Sequence, residues 1–87
     1  MEKTTEFNEK AVYSDIKLQD EETTYFKYLG TEDERNYFRF IGGKDSYYSI
    51  EHSKYGISIG FKATIPLYIV PDEQLQELIK QGKIVEQ

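Results

Sequence analysis

The sequence predicts an α+β domain: a small curled antiparallel β-sheet or partial barrel, a meander of five to six strands, with one C-terminal α-helix. Three observations predict it. Ile57, Ile59, Phe61, Ala63, Ile65, Leu67 and Ile69 fill every second position, and a period of two puts alternate side chains on opposite faces of a strand. Upstream, adjacent aromatics recur as Tyr25-Phe26, Tyr37-Phe38 and Tyr47-Tyr48, in segments rich in β-formers. Near the C-terminus the period changes, and Leu75, Leu78 and Ile79 keep the i, i+3, i+4 spacing of an amphipathic helix.

The elements follow in order. Residues 1–10 are polar around Phe7 and read as a flexible arm; residues 11–87 form a single domain. Ala11–Leu18 is a first strand, ended by Asp20-Glu21-Glu22. Thr23–Leu29 is the second, followed by a charged loop from Gly30 to Arg35. Asn36–Ile41 is the third, and Gly42-Gly43-Lys44-Asp45 turns the chain. Ser46–His52 is the fourth, closed by the hairpin turn Ser53-Lys54-Tyr55-Gly56. The alternating run would span about 43 Å at ~3.3 Å per residue, too long to stay flat. Gly60 and Pro66 are the relief points, so two strands are expected, 57–63 and 65–69, with a bend between them.

The helix is expected over 71–81. Pro71 suits its start, Asp72 and Glu73 suit the positive end of its dipole, and Lys80 and Lys83 the negative end. Gly82 is placed for a left-handed cap, with Ile84 folding back onto the last turn. Lys83-Ile84-Val85 reads as a short closing strand.

Composition narrows the function. Eighty-seven residues make one core, burying roughly two-thirds of the unfolded surface. There is no cysteine, so no disulfide framework and no thiolate metal site, and a reducing cytoplasm is the expected setting. The N-terminal stretch Met1–Glu6 has no apolar segment, so no signal peptide is expected. Lys62 and Pro66 interrupt the longest apolar run, so no membrane span is expected. Nine lysines stand against two arginines, the usage of an AT-rich genome such as that of a low-GC bacterium or its phage. Net charge is −5, and residues 1–35 hold ten acids against five bases while the rest balances. That asymmetry favours basic partners and disfavours nucleic acid.

Catalysis has little support. His52 is the single histidine, so no zinc site or His-based triad is indicated. Gly42-Gly43-Lys44 lacks the upstream glycine and following hydroxyl of a phosphate loop. The protein is read as a non-enzyme without cofactor or metal.

Two surfaces are candidates for binding. Neighbours in a strand face opposite ways. With Phe26, Tyr28, Phe38, Phe40, Tyr48 and Ile50 turned inward, Tyr25, Tyr37 and Tyr47 turn outward with Lys27 and Arg39. Such a band could anchor a protein partner, stack single-stranded nucleic acid, join two copies of the chain, or lie covered beneath the helix or the arm. The second surface is acidic: Asp20, Glu21 and Glu22, and Glu32, Asp33 and Glu34, flank the second strand. Carboxylates so placed can steer a basic partner or mimic phosphates, and can equally be solvated loops that blunt sheet edges. The reading is a small acidic protein-binding module. The expected role is that of a phage- or mobile-element-type accessory or inhibitor that occludes a basic partner protein, a nucleic-acid-binding one such as a defence nuclease being one case. The alternative is a single-strand nucleic-acid-binding domain using the tyrosine face.

Overall fold

The computed structural model describes residues 2–16, 22–44 and 48–85. It is one antiparallel, unclosed sheet of seven strands with one C-terminal helix. The strands are β1 (Lys3–Thr4), β2 (Val12–Ser14), β3 (Thr24–Glu32), β4 (Arg35–Gly43), β5 (Glu51–Ser53), β6 (Gly56–Lys62) and β7 (Leu67–Ile69), followed by α1 (Asp72–Lys80). Their spatial order is β1-β7-β2-β3-β4-β6-β5. Only β2-β3-β4 is a meander. β6 pairs with β4 and carries β5 outward, while β7 returns to the far side and pairs with β1 and β2.

β3 and β4 are the longest strands, and both of their faces carry apolar side chains, interrupted on the second by Lys27 and Arg39. On the first face Tyr13, Phe26, Phe38, Ile59 and Leu67 are buried together, with Phe7, Tyr28, Phe40, Tyr48 and Phe61 packed against them. The rings meet mostly edge to face, Phe7 lying 4.8 Å from Tyr13 and 4.9 Å from Phe38. That is the arrangement their quadrupoles favour. On the second face Val12, Tyr25, Ile41, Val70, Leu78 and Ile84 form another cluster, with Leu75 and Ile79 of the helix against it.

Two irregularities bend the sheet. Between Tyr25 and Phe26 the register slips so that Tyr25 pairs with Gly42 and Phe26 with Phe40; between Tyr28 and Gly30 it slips again. An extra residue on one strand bends and twists the ladder locally. The alternating run breaks as expected, into β6 and β7 with a turn between.

The polar arm is docked. β1 pairs with β7, Ile69 N–H donates to the Glu2 carbonyl at 2.9 Å, and Phe7 lies in the aromatic cluster. Asn8 N–H donates to the Tyr13 hydroxyl, while the Asn8 side chain accepts from the Lys10 and Ala11 N–H groups. The charged loop expected over 30–35 shrinks to a two-residue turn, because β3 and β4 run to Glu32 and Arg35. Ile50, expected to face inward, is 66% exposed.

The helix ends as its sequence indicates. Gly82 has φ +72°, its N–H bonds the Ile79 carbonyl, and the Lys83 N–H bonds the Leu78 carbonyl. This is the Schellman pattern. It turns the chain so that Ile84 enters the second core and bridges Gly42. Val85 N–H then donates to the Ile41 carbonyl at 2.8 Å.

Two substitutions check this account by urea denaturation. Phe7→Ala is expected to cost about 2 kcal/mol, discounted from the full penalty for deleting a core ring because Phe7 is only partly buried. An unchanged midpoint would mean that the arm contributes nothing. Gly82→Ala is expected to cost about 1 kcal/mol, the penalty for forcing a Cβ into left-handed backbone.

Candidate functional site

The tyrosine band expected on the second face is not an open surface. Tyr25 is 5% exposed because α1 lies over it, and Tyr37 is 7% exposed. Tyr47, Asp20 and Glu21 lie outside the described residues. Glu22 is exposed and Lys27 half-buried, and both are engaged in interactions. Lys27 pairs across the ladder with Arg39, which is exposed. Of the residues expected to form the band, only Arg39 is exposed among those described.

Tyr37 is buried by a different device. Its cross-strand neighbours are Gly30 on β3 and Gly60 on β6, so no side chain competes for the space above it. Tyr55, from the β5–β6 turn, fills the Gly30 side. A Cβ on Gly30 would lie 2.3 Å from the Tyr55 ring, and the Tyr37 and Tyr55 rings are 6.1 Å apart. Arg35 fills the Gly60 side, donating to the Gly60 carbonyl at 2.9 Å and to Glu51 Oε2 at 2.5 Å. The bond to Glu51 raises the Arg35 pKa, with burial opposing and Tyr37 adding to the rise. Glu51 matches the charge of the guanidinium locally.

These contacts clamp β5 to the end of the β3–β4 hairpin. The Tyr55 hydroxyl donates to the Thr31 carbonyl at 3.2 Å, one residue before Glu32. The Arg35–Glu51 pair acts one residue after Glu34. Between the clamps the chain turns through Asp33 (φ +52°) and Glu34 (φ +62°). Positive φ at both central residues marks a type I′ hairpin turn, which favours asparagine and glycine. Aspartate tolerates this backbone; glutamate pays for it. The Glu34 carbonyl accepts the Ala63 N–H at 2.9 Å, tying the turn to the β6–β7 loop. An open cleft of about 500 Å³ lies there, lined by Asp33, Glu34, Arg35, Lys62, Ala63 and Thr64.

The most exposed apolar pair among the described residues lies on the β5–β6 hairpin. Ile57 stands opposite His52 in the β5–β6 ladder, Ile50 leads into β5, and both isoleucines are 66% exposed. Ile57 is bare because the β4–β6 ladder stops at the Phe38–Ile59 pair, so no β4 side chain reaches it. Sequence periodicity includes Ile57 in the greasy face but says nothing of where the neighbouring strand ends. The roles of Arg35, Glu51 and Tyr55 were likewise missed. Their one sequence signal is the pair of strand glycines, Gly30 and Gly60, which mark places where other groups approach closely.

Among the described residues no group of three or more His, Cys, Asp or Glu side chains is placed to hold a metal ion. No helix among them is long and apolar enough to cross a membrane. Comparison of the chain with protein-family models, with curated proteins and with solved structures found no match.

The strained turn yields a direct check. Glu34→Gly relieves the backbone but loosens the unfolded chain, so a net stabilisation of about 0.5 kcal/mol is expected. Denaturant melts of the two proteins measure it, and a destabilisation would show that the Glu34 side chain holds the turn.

Proposed function

We propose that the protein is a non-enzymatic binding module for a basic protein partner, acting in the cytoplasm as a small accessory or inhibitor that occludes its target. One observation carries this reading. An acidic turn, Glu32-Asp33-Glu34, is tied by the Arg35–Glu51 and Tyr55–Thr31 contacts to the β5–β6 hairpin, which carries two isoleucines that are each two-thirds exposed. Exposed apolar side chains supply contact area, and adjacent like charges set the sign of the partner and speed encounter. Three consecutive acids in a turn that strains its own backbone are also poor choices for stability. Such outliers motivate a functional hypothesis. The proposed anchors are thus Ile50 and Ile57, with Glu32, Asp33 and Glu34 for steering. They replace Tyr25 and Tyr37, which are inaccessible. Burial of those two rings also removes most of the support for base stacking, and with it for the nucleic-acid alternative.

The test uses immobilised protein and extract of its own host. The expected result is retention of a basic protein whose association weakens with salt. Reversing Glu32, Asp33 and Glu34 to lysine should slow association, and Ile57→Asp should shorten the lifetime of the complex. Equal capture by wild type and both variants would overturn the assignment of this surface. Salt-sensitive binding of a labelled single-stranded oligonucleotide instead would shift the reading to nucleic acid.

A further inference from the structure

We propose that the cleft between the β3–β4 turn and the β6–β7 loop binds a free basic amino acid, a small zwitterion with two cationic groups and one carboxylate. The inference stands apart from the protein-binding reading, since it concerns a small molecule in the cleft and needs neither isoleucine. The cleft holds about 500 Å³, within the range of small-ligand pockets. Backbone bonds fix both of its walls. Arg35 is the ladder partner of Lys62. The Glu34 carbonyl accepts the Ala63 N–H at 2.9 Å, and the Lys62 carbonyl accepts the Ile65 N–H at 2.9 Å. Walls already fixed have less freedom to lose when a ligand enters.

The charges on the walls state what the ligand should carry. Asp33 and Glu34 stand on one wall, and Lys62 and Thr64 on the other. Arg35 also lines the cleft, but Glu51 matches its charge. Lys54, on the β5–β6 turn, lies over the Tyr55 ring and is not part of the lining. Among the described residues Lys62 forms no ion pair with Asp33 or Glu34, although all three line one cleft. The cleft thus offers two carboxylates and one ammonium that do not satisfy one another. Two cations and one carboxylate on a single small molecule match all three. The carboxylate has a further effect. Lys62 stands directly opposite Arg35 in the ladder, and like charges so placed repel. A bound carboxylate beside Lys62 offsets that repulsion.

The probes are L-lysine, its amide and its Nα-acetyl derivative. The amide keeps both cations and loses the carboxylate. The acetyl derivative loses the α-ammonium, as a chain-terminal lysine does. Binding is read from amide shifts of the isotope-labelled protein. General attraction to a chain of net charge −5 favours the amide, the most positive of the three; the cleft favours L-lysine. The expected result is shifts at Asp33–Arg35 and Lys62–Thr64, with L-lysine bound about tenfold more tightly than either derivative. Lys62→Gln should remove the preference for L-lysine over its amide. Asp33→Asn, which suits the left-handed backbone at φ +52°, should weaken both, with folding checked by the remaining amide shifts. Binding of the amide as tight as that of L-lysine would overturn the site, as would the absence of shifts in the cleft. Equal binding of the acetyl derivative would overturn the free amino acid in favour of a chain end. None of these outcomes touches the capture experiment with Ile57→Asp, so the two readings fail separately.

Discussion

The structure depends on one constraint: β3 and β4 carry apolar side chains on both faces, so both must be covered. A sheet with one wet face needs a single partner layer; this one needs two. The first face is closed by aromatic side chains from neighbouring strands and by Phe7. The second is closed at one end by α1 and Ile84, and at the other by Tyr55 over the glycine beside Tyr37. The arm, the helix and the β5–β6 turn all serve this purpose. Their positions follow from it, including the Schellman cap that returns Ile84 to the sheet.

The same constraint explains where apolar surface remains. On the first face, cover reaches β6 only as far as the β4–β6 ladder runs. β6 continues beyond the Phe38–Ile59 rung with β5 as its neighbour, and there Ile57 and Ile50 are left bare. The acidic turn is joined to this region by the Arg35–Glu51 pair and the Tyr55–Thr31 hydrogen bond. An ion pair roughly one-third exposed at each partner contributes little to stability. Its greater effect is positional, since it fixes how the charged turn and the bare edge stand relative to each other.

Much of the fold was legible in the sequence because local rules governed it. The helix and its glycine cap, the break in the alternating run and the assignment of Phe26 and Phe38 to one face all rest on period and turn chemistry. Those rules operate within a few residues. The candidate site was not legible, because it depends on partners distant in sequence. Tyr25 and Tyr37 were correctly placed on the second face, but alternation cannot tell whether a helix or a ring from another hairpin lies above. Ile57 fitted the greasy pattern yet lacks a neighbour, since the end of a ladder is set by how strands diverge. The acidic turn was visible as three letters; its positive φ angles arise because two nine-residue strands meet there with two residues to spare.

The pairing of β1 with β7 and the late position of α1 bear on how the chain acquires its structure during synthesis. The first strand has no partner until Tyr68 has been made, and the second face has no lid until Leu78 and Ile84 follow. Ordering such distant segments costs loop entropy before the contacts repay it. In any partly folded chain in which Leu78 and Ile84 are not yet in place, Tyr25 and Ile41 therefore lie uncovered, beside strands already able to pair. Residues 1–35, with ten acids against five bases, give such partly folded copies a like charge that opposes their association.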